Sequence, residues 1–124
     1  METEINKKIV EAEGIKFFVE KDPPNGEAGG KKEVARAFLY IMKNDLHKEP
    51  FGFLEDLFVD ESLRGQGIGT ELINMVVSEA KKIGCYKLIA NSRHEREGVH
   101  KMYEKAGFKN HGIEFKIVFA NENE

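Results

Sequence analysis

The stretch from Phe53 to Gly69 reads Phe-Leu-Glu-Asp-Leu-Phe-Val-Asp-Glu-Ser-Leu-Arg-Gly-Gln-Gly-Ile-Gly, and it constrains the fold more than any other part of the chain. An apolar run carrying two carboxylates, Glu55 and Asp56, passes into a glycine-rich turn. An amphipathic helix follows at once. That order sets a strand end beside a helix start, where unpaired N–H groups and the positive end of the macrodipole make a seat for a phosphate or pyrophosphate. The glycines Gly65, Gly67 and Gly69 remove Cβ atoms, so that consecutive N–H groups can close on such an anion.

The helix is the most secure element. From Ile68, the residues Leu72, Ile73, Val76, Val77, Ala80 and Ile83 fall on one stripe, with Glu71, Asn74, Ser78, Lys81 and Lys82 on the rest. Lys81 and Lys82 suit its negative end, and Gly84 supplies the stop. Cys85 to Asn91 then reads as a strand, which makes a strand, helix, strand unit and therefore a right-handed parallel crossover.

The flanking chain supplies the remaining elements. Residues 8 to 20 read as two short β pieces around a Glu13-Gly14 turn, a hairpin. Residues 22 to 32, with two prolines and three glycines, form a loop that looks like a long hairpin tip. Val34 to Met42 reads as a central strand covered on both faces, and Phe51 to Val59 as a further strand. Strict alternation sets Phe53, Glu55, Leu57 and Val59 on one face of it and Leu54, Asp56 and Phe58 on the other. A second helix runs from about Arg96 to Ala106, with Val99, Met102, Tyr103 and Ala106 on one face and Gly107 past its end. Phe108-Lys109 opens a short strand, and Ile113, Phe115, Ile117 and Phe119 alternate in a final one.

Composition narrows the class. A chain of 124 residues is most simply one domain, 1–124, here with N-terminal strands and loop over 1–44 and a core over 51–119. A net charge of −3 without a basic stripe argues against a nucleic-acid partner. One cysteine, Cys85, excludes an intramolecular disulfide and suits a reduced compartment. Without a signal-like N-terminus or a membrane-length apolar run, the expected location is cytoplasmic, with no membrane partner. His47, His94, His100 and His111 lack i, i+4 pairing, so no metal site is expected. Arg93, His94 and Arg96 cluster near the strand exit, where they would meet an adenosine phosphate or stand as a solvated charge run.

Two phosphate motifs fail on the residues themselves. No lysine follows the glycines as a Walker loop requires, and Thr70 stands where a dinucleotide fingerprint needs its third glycine. What fits is Arg64-Gly65-Gln66-Gly67-Ile68-Gly69, which resembles the Arg/Gln-x-x-Gly-x-Gly/Ala signature of the GNAT superfamily of acetyl-CoA-dependent N-acyltransferases. Downstream, His100-Lys101-Met102-Tyr103-Glu104-Lys105-Ala106-Gly107-Phe108 is similar to that family's Phe/Leu-Tyr-Glu-Lys-x-Gly-Phe segment. The likeness covers residues 51 to 119 well and the earlier strands more loosely.

The resemblance implies an α/β (α+β) fold: a single GNAT-like domain whose mixed, mostly antiparallel twisted sheet of about six or seven strands carries two main helices. It implies acetyl-CoA as cosubstrate and direct attack of a primary amine, of a small molecule or a protein, on the thioester. Coenzyme A would be held by Leu57, Phe58, Val59, Arg64, Gly65, Gln66, Gly67, Ile68, Gly69, Thr70 and Asn91. Tyr103 is carried over as the acid that protonates the leaving thiolate, and Glu55 or Asp56 would take the proton from the amine and face the substrate. A backbone N–H near Leu57 to Val59 would polarise the carbonyl. Each role has a rival: Tyr103 as a core aromatic, Glu55 and Asp56 as sheet-surface charges, Asn91 as a helix cap, and Cys85 as a small core residue.

Two departures stand out. Family members usually place two helices between their first and second strands, and this chain leaves no room for them. Their absence leaves the acceptor wall missing, supplied by a homodimer partner, or made from the Pro23 to Gly30 loop, and it motivates an alternative function as a coenzyme A-binding or structural module with reduced catalysis. Arg96 also stands seven residues before the tyrosine, where the family often has asparagine. Between residues 45 and 61 six acids (Asp45, Glu49, Glu55, Asp56, Asp60, Glu61) face one Lys48, which favours a cationic acceptor such as a polyamine or lysine-like amine.

Overall fold

A computed structural model describes residues 3–22, 30–92 and 97–120. Four strands form one sheet in sequence order: β1 (Ala12–Lys21), β2 (Lys32–Met42), β3 (Phe51–Val59) and β4 (Leu88–Ala90). The described residues also hold two α-helices, α1 (Ile68–Ile83) and α2 (Glu97–Lys105). β1, β2 and β3 are antiparallel, and β4 lies parallel to β3, so the β3–α1–β4 crossover expected from the sequence is present. No helix among the described residues is long and apolar enough to cross a membrane.

The core lies between α1 and one face of the sheet. Ala35, Ala37, Leu39 and Ile41 alternate along β2 and are buried together with Leu54 of β3. Leu72, Ile73, Val76 and Ala80 of α1 pack onto them, as the apolar stripe requires, and Tyr103 of α2 joins from the side. Lys81 and Lys82 occupy the last turn of α1, and Gly84 closes it in the left-handed region at φ 94°. Ile73 is fully buried, so Ile73→Val is expected to cost about 0.5–1.5 kcal/mol in chemical denaturation with an unchanged m-value.

Several sequence expectations are corrected. Residues 12 to 21 form one continuous strand rather than a hairpin about Glu13-Gly14. Gly14 sits inside it opposite Tyr40, where a Cβ would lie 3.2 Å from the tyrosine ring, so the glycine serves a close approach and not a turn. β1 pairs antiparallel with β2 instead, from Ala12 opposite Met42 to Lys21 opposite Lys32. β2 is covered on one face only: Arg36, Phe38 and Tyr40 line the face away from α1, and Tyr40 is 39% exposed.

Among the described residues the sheet has four strands, not six or seven. Residues 108 to 119 contain no strand, and Ile113, Phe115, Ile117 and Phe119 are exposed. Their alternation lacks a long edge to pair with, since β4 spans only Leu88 to Ala90 rather than Cys85 to Asn91. The first seven residues of the Pro23 to Gly30 loop and the cluster of Arg93, His94 and Arg96 lie outside the described residues.

Candidate active site

The site begins with a fault in β3. Phe38 pairs with Glu55 and Arg36 pairs with Phe58, so Ala37 alone stands opposite Asp56 and Leu57. This is a β-bulge, and Asp56 adopts φ 56°, a left-handed conformation that aspartate tolerates better than most residues. The extra residue breaks the alternation expected from the sequence. Phe53, Glu55 and Phe58 now share the face carrying Arg36 and Phe38, while Leu54 and Val59 share the core face. The Arg36 guanidinium lies 4.8 Å from the Phe58 ring centre.

The bulge coincides with the end of parallel pairing. β3 and β4 pair from Gly52 and Leu88 to Leu54 and Ala90, and among the described residues no pairing continues beyond. Backbone groups of Glu55 to Val59 on that side are therefore left without a strand partner, next to Asn91 at the exposed exit of β4.

Beyond Val59 the chain makes a tight entry into α1. Asp60 caps a single 3-10 turn, Glu61–Leu63, by accepting hydrogen bonds from the Ser62 amide and hydroxyl, which hold its carboxyl below the ordinary value. The Arg64 Nε donates to the Val59 carbonyl at 3.3 Å, so Arg64 ties the turn to the strand end. Gly65 and Gly67 follow at φ 83° and 81°, and Gly67 is the α1 N-cap with no side-chain capping bond. The first intrahelical donor is Glu71, whose N–H reaches the Gly67 carbonyl at 3.0 Å. The N–H groups of Ile68, Gly69 and Thr70 precede it and point out of the helix start.

The three glycines have different tasks. A Cβ at Gly65 or Gly67 would meet open space, so their value is conformational, and the turn leaves room for a ligand over the helix start. A Cβ at Gly69 would lie 3.3 Å from the Met102 sulfur and 3.6 Å from Val59, so this buried glycine lets α2 and β3 close on α1. Such an arrangement of glycines and unpaired N–H groups over Gly65 to Thr70 is one that can hold a pyrophosphate.

The remaining candidates lie around that mouth. Tyr103 is 8% exposed, in the core cluster, with its ring centre 5.3 Å from that of Phe108. Its helix meets the cradle through Met102 and Gly69. Glu55 and Asp56 are exposed, and Glu55 has its carboxyl raised above the ordinary value, first by desolvation and then by the charges of Asp56 and Glu114. Cys85 packs against the core, and burial pushes its thiol up. Leu57 and Val59 are half-buried against the core, leaving their backbone rather than their side chains for a ligand.

Sequence reasoning missed the bulge, the Arg64 to Val59 tie and the packing role of Gly69. A lone aspartate inside an apolar strand was the one available signal for the bulge, since a residue that tolerates positive φ is needed there. The other two depend on contacts between elements.

Comparison with known proteins agrees with this geometry. The Acetyltransferase (GNAT) family profile matches residues 7–108. A protein of Oryza sativa subsp. japonica named probable glucosamine 6-phosphate N-acetyltransferase 2 is 37% identical over 104 residues, covering 83% of this chain and 59% of its own length. An aminoglycoside N(6')-acetyltransferase type 1 of Stenotrophomonas maltophilia is 30% identical over 106 residues, covering 86% of this chain and 67% of its own. The glucosamine-6-phosphate N-acetyltransferase structure from Arabidopsis thaliana superposes with a TM-score of 0.64 at 30% identity, covering 72% of this chain and 59% of that one. The chain thus spans roughly three fifths to two thirds of the length of these relatives. With both motifs, the crossover and the family match in agreement, this chain belongs to the GNAT acetyltransferase family.

Proposed function

We propose that the chain transfers an acetyl group from acetyl-CoA to the primary amine of a small cationic molecule. The observation that carries this reading is the left-handed pair Gly65 and Gly67 at the bare start of α1, beside a bulged strand that has lost its parallel neighbour. Acetyl-CoA supplies the activated thioester. Gly65 to Thr70 would hold its pyrophosphate through backbone N–H groups, with Arg64 and Gln66 at the rim and Asn91 across the opening. The free backbone of Leu57 to Val59 would meet the pantetheine and polarise the acetyl carbonyl.

The chemistry balances with three proton movements. The acceptor ammonium loses a proton to Glu55, directly or through water; its nitrogen bonds to the acetyl carbon, the carbon–sulfur bond breaks, and the Tyr103 hydroxyl gives a proton to the departing thiolate, while the second proton of the acylated nitrogen passes through water to restore the tyrosine. The raised carboxyl of Glu55 supports the base role, because a stronger base accepts a proton more readily. Asp56, on the bulge, adds a second negative charge for a cationic acceptor. The relatives' names point to amino sugars and aminoglycosides, which extends the acceptor class beyond polyamines and lysine-like amines.

Thermal melts and thiol release test this together. Acetyl-CoA at about 100 times its dissociation constant should add roughly 2.7 kcal/mol of stability. Free coenzyme A thiol should then appear with at least one member of a panel of amino sugars, aminoglycosides, polyamines and peptide amines. A stabilised protein that turns over no amine would favour the coenzyme A-binding module instead, and an unchanged melt would rule out both. We also propose that the chain acts as a homodimer in the cytoplasm, where acetyl-CoA is available.

A further inference from the structure

We propose that β1 is a self-pairing edge: two copies of this chain join antiparallel along β1, with Phe17 on the two-fold axis, into one continuous eight-stranded sheet. The proposal is independent of the reaction.

β1 is ten residues long, pairs with β2 on one side and has no strand on the other among the described residues. It is free of proline and regular along its own length, since the irregularity beside Val19 and Glu20 inserts Val34 into β2, and its charges, Glu13, Lys16, Glu20 and Lys21, are of both signs, so that a partner can meet them with opposite ones. It also exposes Phe18 at 50% and Val19 at 37%. Beneath it, Phe17 and Val19 join Ile68, Leu72 and Met75 of α1 in lining an open, mainly apolar groove of about 430 Å³.

The sequence of the strand selects its partner. Antiparallel pairing with Phe17 opposite Phe17 sets Ile15 against Val19 twice on the core face, Lys16 against Phe18 twice on the other face, and Glu13 against Lys21 at both ends. Both copies of α1 then lie on the same side, and each groove is closed by the partner's apolar residues. Sliding by two residues one way sets Lys16 against Lys16, and the other way sets Ile15 against Lys21. Within one chain Lys21 stands opposite Lys32, a like-charge pair that a partner's Glu13 would relieve.

The test is sedimentation velocity on the full chain across a concentration range. The parent should associate to a dimer. Glu13→Lys and Lys21→Glu, both at exposed positions, should each raise the dimer dissociation constant about 10-fold, and the double exchange should return it to within about threefold of the parent. Mild oxidation of Phe17→Cys should yield a cross-linked dimer, whereas Ile15→Cys and the parent with Cys85 should not. A parent that stays monomeric overturns the proposal, as does insensitivity of the dimer to both single reversals; failure of the double exchange to restore association overturns this register. A monomer whose β1 amides are nonetheless protected from hydrogen exchange would assign the edge to residues 3 to 11 of the same chain and equally overturn it.

Discussion

Glu55→Gln is expected to lower kcat/KM by about 100- to 10,000-fold toward the best acceptor amine, while acetyl-CoA binding is retained. The substitution keeps the size and shape of the side chain and removes its negative charge together with its ability to accept a proton. Glu55 stands on the sheet face with Phe38, Phe53 and Phe58, immediately before the bulge, and its carboxyl lies above the ordinary value of 4.5 because of desolvation and the charges of Asp56 and Glu114. A base must be ionised to act, so parent activity should fall as pH drops through this raised value, and that limb should be absent from the residual activity of the variant. The stability effect runs the other way. A carboxyl whose folded pKa exceeds its unfolded one makes ionisation unfavourable to the fold, so its cost appears as pH rises from the unfolded value through the folded one. Glu55→Gln should therefore melt no lower than the parent at neutral pH. Unchanged kcat/KM with an unchanged pH profile would make Glu55 a surface charge and move the base elsewhere.

The sequence carried the parts of this molecule that repeat. Six apolar positions at helical spacing located α1, and lysines with a final glycine located its end. Gly65 and Gly67 were legible as a turn of unusual conformation because nothing except a required conformation or a close approach calls for glycines so densely spaced. The parts that were not legible depend on partners distant in sequence. Gly14 resembles a turn signal until Tyr40 is laid across it from β2. The faces of β3 cannot be assigned from alternation once a single extra residue shifts the register at Asp56 and Leu57. Ile113 to Phe119 alternates as a strand should, yet a strand is made by a partner, and β4 offers only three residues. The same separation holds for the candidate site: the glycine turn at the bare start of α1 is local and could be read directly, while the aim of each carboxylate is a property of the sheet.

Tyr103→Phe is expected to lower kcat by about 100- to 10,000-fold without weakening acetyl-CoA binding. Tyr103 is the residue on which the functional and structural readings compete most directly. It belongs to the buried core and packs on Phe108, so a large part of its side chain is committed to holding α2 against the rest of the domain. That commitment is compatible with catalysis, since a proton donor works best when its ring is fixed and only its hydroxyl reaches the reacting atoms. The phenylalanine ring preserves the packing and deletes the hydroxyl alone, so the two readings separate. An acid role predicts a loss in kcat with a nearly unchanged melting temperature, and partial recovery with acyl donors whose thiolate leaves at lower basicity. A purely structural role predicts the reverse, full turnover with at most a modest change in stability from the lost hydroxyl, about 0.5–1.5 kcal/mol. Because Met102, the neighbour of Tyr103, packs on Gly69 at the start of α1, a fold defect in α2 would also disturb the cradle. Retained stabilisation by acetyl-CoA in Tyr103→Phe is thus the control that ties any loss of turnover to the hydroxyl.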